Sequence, residues 1–144
     1  MLICTIGFSK KNLREFITRL KNVGVEKVVD VRLNNTSQLA GYAKKQDLEY
    51  VLELVGIKYE HHPELAPTEL LLKDYKDKKI SWEEYEKTFN KILEERNPIS
   101  QISISKWPGV ICLLCAEDKA EYCHRRLVAE YFQKNLQGVE VKHL

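Results

Sequence analysis

Two rhythms of apolar and polar positions alternate along this chain. The runs Leu2 to Ile6 and Lys27 to Val31 are short and β-rich, whereas Leu13, Phe16, Ile17 and Leu20 between them fall at the i, i+3, i+4, i+7 spacing of one helical face. That spacing predicts a helix within Ser9 to Val23, with Ser9 as its N-cap and Gly24 as its stop. Strand, helix and strand in this order make a βαβ unit, whose strands run parallel through a right-handed crossover. Leu48, Val51, Leu52 and Val55 repeat the helical spacing, Gly56 ends it, and Ile57 to Glu60 reads as a third strand.

Beyond Pro67 the pattern changes pace. Thr68 to Tyr75 fits a short helix, and Ser81-Trp82-Glu83-Glu84 is a capping box for the next. Its stripe of Trp82, Tyr85, Phe89, Ile92 and Leu93 runs until Pro98 forbids continuation. Ile99 to Trp107 has two readings, because Ile102 and Ile104 alternate with serines as in a strand while their position suggests a connector. Val110 to Leu114 is a continuous apolar run after Pro108-Gly109, the mark of a central strand covered on both faces. Leu127, Val128, Tyr131 and Phe132 give a helix stopped near Gly138, and Val139 to His143 gives a last strand. The fold class expected is three-layer αβα, with a single open, mostly parallel sheet of about five strands and helices on both faces. Residues 1–144 are expected to form one such domain.

Composition narrows the partners without choosing one. With 44% apolar and 31% charged residues the chain is of globular type, and a net charge of +2 carries no meaning by itself. Nucleic-acid binding would need a local patch. Lys10/Lys11/Arg14, Lys44/Lys45, Lys76/Lys78/Lys79 and Arg125/Arg126 are short clusters able to supply one, although solvated faces are the commoner meaning of each. The amino-terminal apolar run is too short for a signal segment or a membrane span, so no membrane is expected and the cytoplasm is the default compartment. There the four cysteines should be reduced. Cys112 and Cys115 spell C-x-x-C, but a separation of three along one strand sends them to opposite faces, against a redox pair.

Chemistry collects where the strands end. Parallel strands bring Thr5-Ile6-Gly7-Phe8-Ser9, Asp30-Val31-Arg32, Tyr59-Glu60-His61-His62 and Cys115-Ala116-Glu117 to one edge of the sheet, the edge at which open α/β folds bind ligands. The Gly7 to Ser9 turn, ahead of a capped helix, is expected to present free N–H groups to an anion. Asp30 and Arg32 share a face, and a structural ion pair is about as expected there as a ligand clamp. Cys115 alone reads first as a buried small hydrophobe, and His61 and His62 as loop histidines. Cys123-His124-Arg125 at a helix start is seldom needed for packing; the helix dipole there would lower a thiol pKa, and Arg125 adds a fork of donors.

Three chemistries compete for these residues. Cysteine nucleophiles of rhodaneses and Cys-based phosphatases sit in a strand, loop and helix with an Arg six positions after the Cys. Here position 121 is Glu, Arg125 comes later, and Glu117, Asp118 and Glu121 make the loop acidic, which opposes an anion nest. Metal binding by Cys115, Cys123 and His124 lacks a second close pair of ligands, and adjacent Cys and His side chains do not readily face one ion. The expected site therefore contains no metal, although zinc could recruit Asp30 or Glu117. The third chemistry is acid–base work in which Glu117 and His124 handle protons while Arg32, Arg125 and the Gly7/Ser9 turn hold an anion.

Thr5-Ile6-Gly7-Phe8-Ser9, Asp30-Val31-Arg32, Gly56-Ile57-Lys58-Tyr59, Pro63-Glu64-Leu65, Leu113-Leu114-Cys115-Ala116-Glu117 and Cys123-His124-Arg125 together carry a resemblance. In their order the chain resembles domain-of-unknown-function family 488, a group of small prokaryotic α/β proteins. The resemblance implies a fold and a pocket, and no established reaction. Two positions depart from the family's pattern, Phe8 where His is usual and Ala66-Pro67 where a Gly pair is usual. The first removes any proton-transfer role of a first-loop histidine, and the second denies the Leu65 loop the family's Gly-dependent backbone.

The expected function is an enzyme acting on a phosphate-bearing ligand such as a nucleotide or nucleic acid. Its catalytic candidates are Cys115, Glu117 and His124; its ligand-binding candidates are Gly7, Ser9, Asp30, Arg32, Cys123 and Arg125. The sequence names no cofactor. A non-catalytic nucleic-acid or partner-binding module with a structural Cys-His-Arg cluster is the alternative, and a metal-dependent hydrolase the third reading.

Overall fold

The computed structural model describes residues 1–36 and 41–144. Strands β1 (Leu2–Gly7), β2 (Lys27–Asp30), β3 (Lys58–His61), β4 (Val110–Cys115) and β5 (Glu140–His143) form one sheet in the order β3-β2-β4-β1-β5. Every pairing is parallel, so the mostly parallel sheet expected has no antiparallel member among the described residues. β1 and β2 do not pair with each other, because β4 lies between them. Paired on both edges, β4 is buried from Ile111 to Cys115, which is why its sequence is an unbroken apolar run.

The sheet separates two cores. Along β4, Ile111, Leu113 and Cys115 face one and Cys112 and Leu114 the other, so the C-x-x-C pair does diverge. Helices α1 (Leu13–Asn22) and α2 (Lys45–Leu54) cover the Cys112 side with Phe16, Leu20, Leu48 and Leu52. The Cys115 side is covered by α3 (Glu69–Lys76), α4 (Trp82–Arg96) and α6 (His124–Asn135), through Leu71, Tyr85, Phe89, Leu93, Leu127 and Phe132. The architecture is three-layer α/β.

Element ends explain where local signals succeed or mislead. Thr68 and Ser81 cap α3 and α4, accepting from the backbone N–H of Leu71 and Glu84 at 3.1 and 3.2 Å. Ser9 is not a cap. Asn12 Oδ1 accepts from Glu15 N at 2.8 Å and starts α1 immediately before its apolar stripe, while Lys10 takes a left-handed φ of 60° in the turn ahead. Asn97, at φ 48°, ends α4, and Pro98 then opens the single turn α5 (Pro98–Gln101), its missing N–H costing nothing there. The stretch with two readings is thus a connector, burying Ile102 and Ile104 without pairing to the sheet. No helix among the described residues is long and apolar enough to cross a membrane.

One charged network ties the β2–β3 edge to the connector. Glu60 accepts from Lys27 Nζ, from Trp107 Nε1 at 3.1 Å and meets His62 Nε2 at 2.8 Å, while His62 Nδ1 lies 2.5 Å from Glu64. Burial alone would raise the Glu60 carboxyl, but the bonds from Lys27, His62 and Trp107 outweigh it and hold the group below its ordinary 4.5. A carboxylate lowered on folding stabilises the fold above its unfolded value and loses that contribution as pH falls through its folded value. Thermal unfolding followed from about pH 7 to about pH 3 should show stability falling from the ordinary carboxylate range downward, with a shallower slope and a lower neutral Tm in Glu60→Gln. An unchanged slope in that variant would remove Glu60 from the acid response.

Candidate functional site

The carboxyl ends of β1, β2 and β4 open into a cavity of 1170 Å³ bounded on its far side by α3, α4 and the start of α6. Cys115, Cys123 and His124 line it, each at most 7% exposed. Cys115 ends β4, Cys123 is the N-cap of α6 and His124 is its first residue. One strand end and one helix start thus bring three donor atoms within 4.8 Å of one another. Cys123 and His124 were expected to diverge as neighbours. They converge because Cys123 is extended (φ −131°, ψ 140°) while His124 is already helical, so the two side chains leave the backbone in different frames.

The tautomer of His124 follows from its partners. Nε2 lies 2.7 Å from the carbonyl oxygen of Val31, which can only accept, so Nε2 carries a proton, and in the neutral ring Nδ1 is the nitrogen with the lone pair. Nδ1 stands 3.5 Å from Cys115 Sγ, and Phe89 packs edge-on against the imidazole. Donation from the Cys123 thiol, the N–H of Ala116 and the charge of Arg125 pull the Cys115 thiol below its usual value against the cost of burial. Cys123 moves the other way, raised by that same donation to Cys115 and by burial. A low thiol pKa was expected at the start of α6, but the lowered thiol is the one at the strand end.

The remaining expected residues divide by where their polar groups go. Asp30 is fully buried and holds Arg32 through Nε at 2.9 Å and Nη2 at 2.8 Å, while Tyr59 donates to the same carboxylate at 2.6 Å. Asp30 is spent on structure; Arg32 still lines the cavity, with its guanidinium 5.3 Å from the centre of the Phe8 ring. Arg125 does not line it. At 1% exposure its Nη1 and Nη2 donate to the carbonyls of Glu117 and Asp118, and its Nε is buried with no partner among the described residues. Glu117 lines the cavity, and the group it offers Arg125 is its backbone carbonyl. Ser9 lines the rim, yet the turn offers no free amides there, since Phe8 N and Ser9 N donate to Cys115 O and Ala116 O at 3.2 and 3.0 Å. His61 and His62 lie outside the cavity, the former on the Arg32 carbonyl at 2.8 Å.

What the turn withholds, side chains supply. Five cations line the cavity against one carboxylate, Glu117. Lys11 pairs with Asp118 at 2.9 Å and Arg32 with Asp30, while Lys10, Lys76 and Lys78 meet no carboxylate among the described residues. Beside them stands an aromatic wall. Trp82 stacks on Tyr85 with centroids 5.0 Å apart, Tyr75 and Tyr122 meet its edge at 5.6 Å, and Tyr122 is 56% exposed. Periodicity assigned Trp82 and Tyr85 to a core stripe, and Tyr85 is indeed buried there with Trp82 packed against it, while Tyr122 carried no signal except its place beside Cys123. The packing of α3 on α4 and of α4 on α6 brings these residues to one opening.

Gly7 makes the site's closeness possible. A Cβ there would lie 1.5 Å from the carbonyl oxygen of Glu117 and 3.0 Å from Nη1 of Arg125, which are hydrogen-bonded to each other, so backbone would have to shift. Gly7→Ala should destabilise by about 3 kcal/mol or more, at the upper end of overpacking costs, read as a lower urea midpoint at unchanged slope. A change below about 0.5 kcal/mol would show that the Glu117 loop is free to retreat.

No curated protein and no solved structure matches the chain. A family model does, over residues 12–132, a span that takes in the Asp30-Val31-Arg32 and Cys115-to-Arg125 motifs but begins after Thr5 to Ser9. By that match, the chain belongs to the family described as domain of unknown function DUF488.

Proposed function

We propose that this protein is a cytoplasmic enzyme acting on a phosphate-bearing ligand of the nucleotide or nucleic-acid class, bound in the cavity at the carboxyl edge of the sheet. The observation that carries the reading is the sharing of one opening by three groups: unpaired lysines, an aromatic wall, and the Cys115–His124 pair. Lys10, Lys76 and Lys78 answer phosphate charge, and aromatic rings answer the faces of bases. Because Phe8 N and Ser9 N are occupied, phosphate would be held by side chains instead of a backbone nest. The volume exceeds the usual span of small-ligand pockets, about 300–1,000 Å³, so a short single strand fits as well as a mononucleotide. Cys115, with His124 beside it, is the reacting end, and Arg32 is a further cation of the cavity wall.

A second reading has its own support. Cys115, Cys123, His124 and Arg125 are 6, 3, 7 and 1% exposed, as a structural cluster in a non-catalytic nucleic-acid module would be. Binding and turnover separate the two. Fluorescence anisotropy with labelled single-stranded oligonucleotides, and thermal shift with nucleotides, should show binding to wild type at low salt. Tyr122→Ala should weaken it by about 5- to 100-fold, and Lys76→Ala/Lys78→Ala should reduce the salt slope. Arg125→Ala should lower stability while leaving affinity of the folded fraction unchanged. Phosphate-ester turnover abolished by Cys115→Ala with binding intact supports the enzyme; binding without turnover supports the module. No binding of any of these ligands by wild type would overturn the ligand class.

A further inference from the structure

We propose that Cys115 Sγ, Cys123 Sγ and His124 Nδ1 form a three-ligand zinc site whose fourth coordination position opens into the cavity. Two sulfurs and one imidazole nitrogen are a donor set suited to zinc, and three protein ligands with one position left over is the catalytic pattern. The spacing fits. Zinc bonds of about 2.3 Å to sulfur and about 2.05 Å to nitrogen at a tetrahedral angle put the two donor atoms about 3.6 Å apart. Cys115 Sγ is 3.5 Å from His124 Nδ1 and 3.8 Å from Nε2, so it lies beside the ring face, and one ligand atom from each of Cys115, Cys123 and His124 falls within 4.8 Å of the others. Closing these donors on an ion takes about 1 Å of sulfur movement together with a turn of the imidazole that aims Nδ1 at the ion.

The surroundings support the same assignment. A metal-bound histidine characteristically donates its second ring N–H to a carbonyl or carboxylate, which fixes the tautomer and the ring plane. His124 Nε2 does so to Val31 O at 2.7 Å, and Phe89 braces the ring. A nucleophile–base pair would need only Cys115 and His124. The second buried thiol, held at the same point by the cap of α6, adds a third ligand atom that such a pair does not require. Two thiolates and a neutral imidazole carry two negative charges, which a divalent ion cancels in a site otherwise costly to bury. Since all three ligands line the cavity, an ion among them would present its open position to whatever the cavity holds.

This inference shares the cavity with the function proposed above but does not rest on the class of ligand bound. The 144-residue chain purified without chelators should retain about one zinc per chain through gel filtration, by elemental analysis. Replacement by cobalt should give intense visible absorption of a tetrahedral ion together with a sulfur-to-cobalt charge-transfer band in the near ultraviolet. Cys115→Ser, Cys123→Ser and His124→Ala should each reduce retention to near zero, while His62→Ala, outside the cavity, retains it. Wild type with a cooperative unfolding transition, no retained zinc and no cobalt spectrum on titration would overturn the proposal, whatever the variants do. Retention undiminished in folded ligand variants would equally overturn it. Oligonucleotide binding by that metal-free wild type would leave the ligand class standing, so the two failures are distinguishable.

Discussion

The buried guanidinium of Arg125 holds the carbonyls of Glu117 and Asp118 down onto the end of β1, where only a glycine leaves room for them. Cys115 lies just ahead of that clamp, and the chain returns to it at Cys123 after a short loop. Because the clamp is a buried charge satisfied by carbonyl oxygens, removing the carbonyls leaves that charge without partners. The Lys11–Asp118 pair and the bonds from Phe8 N and Ser9 N fasten the same loop from the β1 side. The floor of the cavity is therefore set by several bonds acting on one loop, and not by the cysteines and histidine that occupy it.

Polar groups at this edge fall into two sets with different work. Asp30, Tyr59 and Asn35 close around Arg32, and Arg125 closes around the loop, so their charges are largely answered inside the protein. Lys10, Lys76, Lys78 and Tyr122 keep their polar or aromatic surfaces toward the opening. The first set fixes shape, while the second is left to meet a ligand. The two arginines, with planar forks suited to carbonyls and carboxylates, take the first role together with Lys11, while Lys10, Lys76 and Lys78 take the second.

Much of the fold was legible in the sequence because its signals are local. The apolar run of β4, the stripe of α4 and the caps Thr68 and Ser81 each follow from a few neighbouring residues. The cap of α1 was misplaced onto Ser9 because the turn residues Lys10 to Asn12 extend the polar stretch, and the true cap is the Asn adjoining the stripe. At the site, the residues of the Cys115 to Arg125 segment could be named, but not their bearings. Whether Arg125 reaches a ligand or a carbonyl depends on how closely β1 approaches, a contact between residues more than a hundred positions apart. The convergence of Cys123 and His124 depends on a dihedral change across a cap, which residue types do not state. The lysines and tyrosines of the cavity wall needed the packing of α3 and α4 to be seen as one surface.

The strand order also has a consequence in time. β1 and β2 are made first, yet the strand that joins them, β4, is made after most of the chain. Neither early strand has its inner partner until residues 110–115 arrive, so the first βα segments must wait as locally structured pieces. Closing so long a loop is entropically slow and is rewarded only when β4 enters between two edges together. In a chain growing from its amino terminus, the insertion that joins the two halves of the sheet also delivers Cys115 to the carboxyl edge, and the cavity closes only when Cys123 and His124 follow at the start of α6.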